Sequence, residues 1–436
     1  MDLRDKRVTV VGLGREGRDL AAFLAHEGAE VLVTDARPAE ALADQVAALP
    51  VRPIRFALGG HPPDECLDAD ALFVSPGVPP DIPLLVEARR RGLPISSATA
   101  LFFARCPAPI VGITGSSGKT TTTALTGRIF VAAGRTTHVG GNIGVPMLGR
   151  LAEIRPTDWV ILELSSFQLQ PLRVSPHIAA ITNITPNHLD RHASMEEYRD
   201  AKANIVAHQS PGDRAILNAD DPTSREIAAP HGRLLFSLER PVAGAYLDED
   251  RLTLDHDGIR EVVCRTADLR IPGRHNVANT LTACLLASAA GIGPAAMRAA
   301  IEGFTGVAHR LELVAEVDGV RYVNDSIATA PERSLAALAA FAGQPLLLLA
   351  GGRDKHLPME EWGRQIARGV RELILFGEAA PLVERAALAG GMAPERIHHA
   401  GTVRRAVELA RGLARAGDVV LLSPGGTSYD QYRDFE

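Results

Sequence analysis

The run Gly112-Ile113-Thr114-Gly115-Ser116-Ser117-Gly118-Lys119-Thr120-Thr121 has the residue types that cradle a polyphosphate. Glycines let backbone N–H groups turn toward an anion, and the N-terminus of the following helix, read over 122–131, adds partial positive charge. In that arrangement Gly115, Ser116, Ser117, Gly118 and Thr121 line the phosphates. Lys119 reaches the β- and γ-phosphates, and the Thr120 hydroxyl holds Mg²⁺. The strict pattern needs a glycine where this chain has Ile113; Gly112 stands one place earlier. The alternative is a plain Gly/Ser loop with an exposed lysine. Gly-Lys-Thr-Thr after the apolar run Pro109-Ile110-Val111 and before a helical segment favours a nucleoside triphosphate site.

A second phosphate loop precedes it. Arg7–Val11 reads as a buried strand feeding Gly12-Leu13-Gly14-Arg15-Glu16-Gly17, then a helix, then a strand ending at Asp35 with Arg37 beyond. Alone this fingerprint suggests NAD, although backbone amides of this geometry hold any diphosphate, and a merely structural tight turn is the plain alternative. Ser75-Pro76-Gly77 follows a further strand, where open α/β sheets carry ligands.

Other candidates sit at strand ends. Glu163 closes the strand Trp159–Leu162, well placed to bind Mg²⁺ through oxygen, with a solvated or capping glutamate as the alternative. Gly140–Gly144 reads as a Gly-rich loop that includes Asn142, and Gln168 follows Glu163 closely. The apolar run Ile178–Ile184 leads to His188, Asp190, Arg191 and His192, a polar cluster that looks like site chemistry. Lys202 lies on a helix over 196–209, and taken alone it is an exposed helix lysine. Asn276 and Asn279 lie one turn apart at the start of a long helix. Later polar strand ends are Asn324–Pro331, Gly351–Lys355 and Ser423–Asp430.

The elements that must position these residues alternate strand and helix, with a β-rich stretch over 234–272. The fold class is α/β with three domains: a Rossmann-like domain over 1–105, a central P-loop ATPase-like domain over 106–307, and a Rossmann-like α/β domain over 308–436. The 436 residues, 46% hydrophobic and 22% charged, fit an ordinary globular protein. A net charge of −6 gives no basic footprint for nucleic acid. Four scattered cysteines form no C-x-x-C pair, so reduced thiols of a cytoplasmic protein are expected. The N-terminal residues run into a strand without a signal-like apolar segment. The most apolar stretch, Val277 to Ile292, contains Asn279, Thr280 and Thr282 and is too short and polar to cross a membrane.

The order of these motifs resembles the Mur ligases of peptidoglycan assembly, from the first strand to the last residue. The resemblance rests on 112–121, 140–144, 162–168, 188–191, 201–202, 275–279, 309–310, 324–326 and 423–435. It implies an ATP- and Mg²⁺-dependent ligase forming an amide through an acyl phosphate. The short first domain points to the branch that adds glutamate, expected as the D-enantiomer, to UDP-N-acetylmuramoyl-L-alanine. By the same resemblance, Gly14, Arg15, Glu16, Asp35, Arg37, Ser75, Pro76, Gly77, Asn142 and Gln168 contact the UDP substrate. Asn276, Arg310 and Asp325 help hold ATP. Thr120, Glu163 and His188 hold metal together with Lys202, carbamylated by CO₂, and Lys119, Glu163, His188 and Lys202 are catalytic. Thr329, Lys355, Ser428 and Phe435 contact glutamate. A cytoplasmic monomer is implied.

Three departures stand out: Ser116-Ser117 where the family commonly has Thr-Asn, Ile327 where it commonly has Lys, and an end at Glu436 about one short helix early. The last suggests a truncated or unusually short chain. Ile327 leaves L-glutamate open and makes Arg353 or Arg433 a possible source of replacement charge. Other readings are a folylpolyglutamate-synthase-like relative, an NAD-dependent dehydrogenase, and a P-loop switch without ligation.

Overall fold

Short apolar runs bounded by turn residues become strands buried on both faces, because helices returning between parallel strands cover the sheet on each side. The computed structural model describes residues 2–49, 53–142, 146–186, 191–256, 258–271, 273–355 and 357–432. These carry three sheets, making this a three-domain α/β protein.

The first sheet has the order β3-β2-β1-β4-β5, from β1 (Arg7–Val11), β2 (Glu30–Asp35), β3 (Ile54–Leu58), β4 (Ala71–Val74) and β5 (Ile95–Ser96), all parallel. The second comprises β6 (Ile110–Thr114), β7 (Thr137–Gly141), β8 (Trp159–Glu163), β9 (Ile178–Ile181), β10 (Arg214–Asn218), β11 (Arg233–Ser237), β12 (Gly244–Asp248), β13 (Arg251–His256) and β14 (Ile259–Arg265). Its order is β14-β13-β12-β11-β10-β9-β6-β8-β7. The three strands β12, β13 and β14 pair antiparallel, so the β-rich stretch read over 234–272 is an antiparallel extension of a parallel sheet.

The third sheet has the order β15-β16-β20-β17-β18-β19, from β15 (Glu312–Val317), β16 (Val320–Asn324), β17 (Leu346–Gly351), β18 (Glu372–Phe376), β19 (Ile397–Gly401) and β20 (Val419–Gly425). Central β17, Leu-Leu-Leu-Leu-Ala-Gly, is buried throughout.

The chain divides into two compact units. One, Met1–Leu269 with Arg274–Glu302, holds the first two sheets; the other, Arg270–Gly273 with Gly303–Glu436, holds the third. Within the first unit a single apolar core joins Leu20, Leu24 and Phe73 to Met147, Leu148 and Leu164. Burying side chains of this size contributes roughly 1.5–3 kcal/mol each. Asp19, on the helix Arg15–His26, accepts from the Leu148 and Gly149 N–H groups (3.1 and 3.3 Å).

Several expectations need correction. The run 178–184 leaves the ladder at Ile181, because Thr182 and Asn183 turn to hydrogen-bond the glycine loop. Gly112 lies within β6 rather than at a turn; a side chain there would strike Pro176. Gly140 and Gly141 are likewise strand residues of β7. The last strand runs three residues past Leu422, to Gly425. Among the described residues no helix is long and apolar enough to cross a membrane.

Candidate active site

Strand β6 ends at Thr114 and the helix Lys119–Ala132 begins five residues on. The turn between them needs left-handed backbone at Gly118 (φ +81°) and an unusual φ of +152° at Gly115, both cheap only for glycine. Side chains at either position would also collide, with Thr182 Oγ1 at Gly115 and Asn279 Oδ1 at Gly118. Gly118 offers no side chain to cap the helix, so its first-turn N–H groups remain for an anion.

The loop is braced from β9. The Thr182 hydroxyl donates to Ser117 O (2.6 Å), Ser116 N–H donates to Asn183 O (2.9 Å) and Ser117 N–H to Asn183 Oδ1 (3.0 Å). Ser116 Oγ donates to Thr185 O (2.9 Å) and meets Tyr198 Oη at 3.0 Å. The Lys119 amine folds over its own loop, donating to Gly115 O (2.9 Å) and Ser116 O (3.3 Å). Thr120 and Thr121 are buried in the first helical turn.

Lys202, on the helix Met195–Ala207, is 1% exposed, which removes the reading of it as a surface lysine. Its amine donates to the same Gly115 carbonyl at 3.0 Å and lies 4.6 Å from the Tyr198 ring centre. Two lysine amines thus converge on one carbonyl oxygen. Burial, and then the charge of Lys119, pull the Lys202 pKa down to about 6, against the opposing pull of Glu163. At neutral pH its amine is mostly uncharged.

Glu163 ends β8, which pairs with β6 so that Ile113 faces Glu163 across the ladder. Its carboxylate is buried. Oε1 accepts from Asn142 Nδ2 (3.1 Å), while Oε2 is buried with no hydrogen-bond partner among the described residues. A buried carboxylate oxygen without a donor is costly in isolation and suits a cation. Among the described residues no three His, Cys, Asp or Glu side chains cluster as a metal site. The metal-binding and catalytic expectation for His188 lies outside the described residues. Nearby His192 is buried, its Nε2 2.9 Å from Ser166 Oγ and its ring stacked on Phe167.

The first sheet carries a differently wired loop. Gly17 packs against the turn so closely that a side chain there would hit the Gly12 carbonyl, and Ser75 Oγ donates to that carbonyl (2.8 Å). Asp35 Oδ2 accepts the Leu13 N–H (2.8 Å), and Arg37 clamps both carboxylate oxygens (2.8 and 3.0 Å). Burial pushes the Asp35 pKa up, but the Arg37 and Leu13 hydrogen bonds outweigh it and bring it to about 2. Gly14 precedes the helix Arg15–His26 and leaves its N-terminus uncapped by a side chain. The Gly77 carbonyl, after Pro76, accepts from Arg191 (2.9 Å). Glu16 accepts from Gln168 Nε2 (2.6 Å), and burial raises its pKa to about 7. The other end of the Gln168 amide accepts from Ser165 N–H (2.8 Å).

Asn276 and Asn279 are buried on one helix face, joined by a 3.0 Å hydrogen bond, with Asn279 against the phosphate loop at Gly118. In the second unit Asp325 follows β16 and is buried. It accepts from Ser423 Oγ (2.9 Å) and Leu311 N–H (3.2 Å), and burial raises its pKa to about 6 although those bonds and Arg310 pull the other way. The Lys355 amine donates to Thr329 Oγ1 (3.2 Å), bringing two expected glutamate contacts together. Ser428 lies in the turn after β20, its carbonyl accepting from Gln431 and Tyr432. Arg353 is paired with Glu378 (3.0 Å), so its charge is already matched. Phe435 and Arg433 lie outside the described residues.

The sequence reading passed over Tyr198, Thr182 and Asn183. Tyr198 stands four residues before Lys202 on one helix, a spacing that places both on one face and was available as a signal.

Family profiles described as Mur ligase MurD-like, N-terminal domain; Mur ligase middle domain; and Mur ligase, glutamate ligase domain match residues 6–97, 113–287 and 309–426. A protein of Symbiobacterium thermophilum named UDP-N-acetylmuramoylalanine--D-glutamate ligase is 43% identical, over 99% of this chain and 95% of that one. A protein of the same name from Roseiflexus sp. is 42% identical, over 100% of this chain and 97% of that one. Among solved structures, a UDP-N-acetylmuramate-alanine ligase from Thermotoga maritima has a TM-score of 0.60 at 18% identity, covering 97% of this chain and 96% of that one. A pseudomurein peptide ligase from Methanothermus fervidus has a TM-score of 0.57 at 18% identity, covering 97% and 98%. At such identities these structures bear on the fold alone.

Proposed function

The chain belongs to the Mur ligase family, and from that premise we propose that it joins D-glutamate to UDP-N-acetylmuramoyl-L-alanine at the expense of ATP. The observation that carries this reading is the buried pair of Glu163 and Lys202 beside the Gly115–Thr121 loop. A nucleotide-binding switch also uses a carboxylate to hold Mg²⁺, but it has no use for a second, neutral lysine buried beside its phosphates.

A carboxylate is a poor electrophile. Transfer of the γ-phosphoryl group of ATP to the L-alanyl carboxylate oxygen breaks the β–γ bridge bond and releases ADP. Lys119 and the first-turn N–H groups are positioned to offset the charge spread over the transferring oxygens. The glutamate amine then attacks the acyl carbon. The tetrahedral intermediate collapses as the C–O bond to phosphate breaks, leaving an amide, inorganic phosphate and a proton. When bound, Mg²⁺ supplies positive charge against phosphate oxygens. Thr120, Glu163 and a carbamylated Lys202 would hold it, together with His188.

Carbamylation converts a cation into an anionic oxygen ligand. The neutral amine attacks CO₂, forming an N–C bond and releasing a proton, so the lowered pKa of Lys202 favours it. On this reading Gly14–Glu16, Asp35, Arg37 and Ser75–Gly77 hold the UDP part, and Asn142 and Gln168 the muramoyl-alanine end. Asn276, Arg310 and Asp325 assist with ATP, and Thr329, Lys355, Ser428 and Phe435 receive glutamate. The enzyme acts in the cytoplasm as a monomer.

The test is phosphate release from ATP with UDP-N-acetylmuramoyl-L-alanine and a panel of amino acids containing both glutamate enantiomers. Release should require the UDP substrate and D-glutamate together. Hydrolysis indifferent to the UDP substrate would overturn the ligase reading, and equal use of L-glutamate would overturn the enantiomer.

A further inference from the structure

Glutamate brings two carboxylates that take no part in amide formation, and both must be met by charge or hydroxyl donors in the second unit. One partner is evident in Lys355, held against Thr329 Oγ1. Ser428 offers a hydroxyl, but the residue types around the 325–331 loop supply no obvious second charge. Ile327 is apolar and Arg353 is matched by Glu378, while Arg310 and, more weakly, Arg333 act on buried Asp325.

Arg333 supplies it. It lies in the first turn of the helix Pro331–Ala340, and its side chain reaches back along the loop so that one guanidinium N–H donates to the Ile327 carbonyl (3.3 Å). That bond fixes the guanidinium over the same loop that carries Thr329, leaving most of its donors uncommitted. Among the described residues neither Arg333 nor Lys355 makes an ion pair with a carboxylate. The two cations feel one another: partial burial, and then the charge of Arg333, pull the Lys355 pKa below its ordinary value. Like charges held near one another repel, and an anion that bridges them relieves the repulsion. A ligand with two separated carboxylates does so at both ends, and a planar guanidinium can grip one of them with two parallel hydrogen bonds.

We propose that Arg333 is a specificity-determining residue, binding the side-chain carboxylate of the incoming glutamate while Lys355 and Thr329 bind the α-carboxylate. This rests on the glutamate-ligase reading above. It assigns to the first turn of a neighbouring helix the charge that position 327 lacks.

The experiment compares the full-length protein with R333Q and R333K, measuring phosphate release at saturating ATP and UDP-N-acetylmuramoyl-L-alanine. D-Glutamate and D-glutamine are the varied substrates. Glutamine in R333Q keeps an N–H for the Ile327 carbonyl but removes the charge. The KM for glutamate should rise about tenfold or more in R333Q and less in R333K, as for loss of a charge-assisted bidentate contact. The KM for ATP should stay within about twofold, and the preference for glutamate over glutamine should fall by a similar factor. A glutamate KM unchanged in R333Q, or equal losses for glutamate and glutamine, would overturn the assignment. If the unsubstituted protein shows no glutamate-dependent release, the ligase reading itself falls and this assignment with it.

Discussion

The first unit contains two glycine-rich turns, each between a buried strand and a helix, and they are built for different work. At Gly12–Gly17 the nearby acid, Asp35, is locked by the Leu13 N–H and Arg37, and Ser75 ties the turn shut. At Gly115–Gly118 two lysines crowd one carbonyl, and a glutamate keeps a buried oxygen without a donor among the described residues. The backbone geometry that welcomes phosphate is common to both. On the proposed function, what separates holding a diphosphate from transferring a phosphoryl group is whether nearby charges are matched or left in tension.

The most severe test of this contrast is Lys119→Ala. Ligation should fall at least about a thousandfold, as for loss of a phosphoryl-stabilising group. Affinity for the UDP substrate, measured by calorimetry, should hold within about twofold, since Lys119 belongs to the other turn. Equal loss of both in a folded variant would erase the distinction.

Lys202→Ala comes next, with ligation expected to drop by about a hundredfold or more and to respond to a short carboxylic acid but not to bicarbonate. Labelled bicarbonate should give a carbamate resonance in the unsubstituted protein that vanishes in the variant. The resonance should also fade as pH falls through about 6, where the amine takes up a proton. Near-normal turnover by the variant would take Lys202 out of the chemistry.

The smallest effect is expected at the quieter turn. The Glu16 pKa is raised to about 7 from 4.5, so the folded protein binds this proton more tightly than the unfolded chain. Stability contributed by the protonated group is therefore full below about 4.5 and lost as pH rises to about 7, by a few kcal/mol at most. Thermal melts of Glu16→Gln should lose that part of the pH dependence. An unaltered profile would mean that Glu16 does not take up a proton in this range.

Much of this was legible in the sequence because strand, glycine turn and helix are local patterns. The three-domain α/β architecture and the strand ending at Glu163 follow from apolar runs and turn residues, whereas the helix read from Thr122 starts three residues earlier, at Lys119. Lys202 was different. Nothing in its helix marks it as buried until the turn after β6 supplies the Gly115 carbonyl from 87 residues away. Thr182 and Asn183 were read as strand because they extend an apolar run, yet the loop outbids the ladder for their hydrogen bonds. Arg333 gave no signal at all, since its relevance depends on a helix folding its first turn back over Ile327.

The donation of Lys119 to Gly115 and Ser116 carbonyls, with Asn183 already engaging the Ser116 and Ser117 amides, bears on inhibitor design. A compound that mimics phosphate here exchanges existing hydrogen bonds for new ones, so its net gain is small and falls further as salt screens its charge. The recess lined by Phe102, Met147, Leu148 and Leu164, with Glu16 and Gln168 at hand, offers apolar surface and a glutamate that is half protonated near neutrality. A neutral ligand carrying one amide could find selectivity there that a charged one would forgo at the phosphate loop.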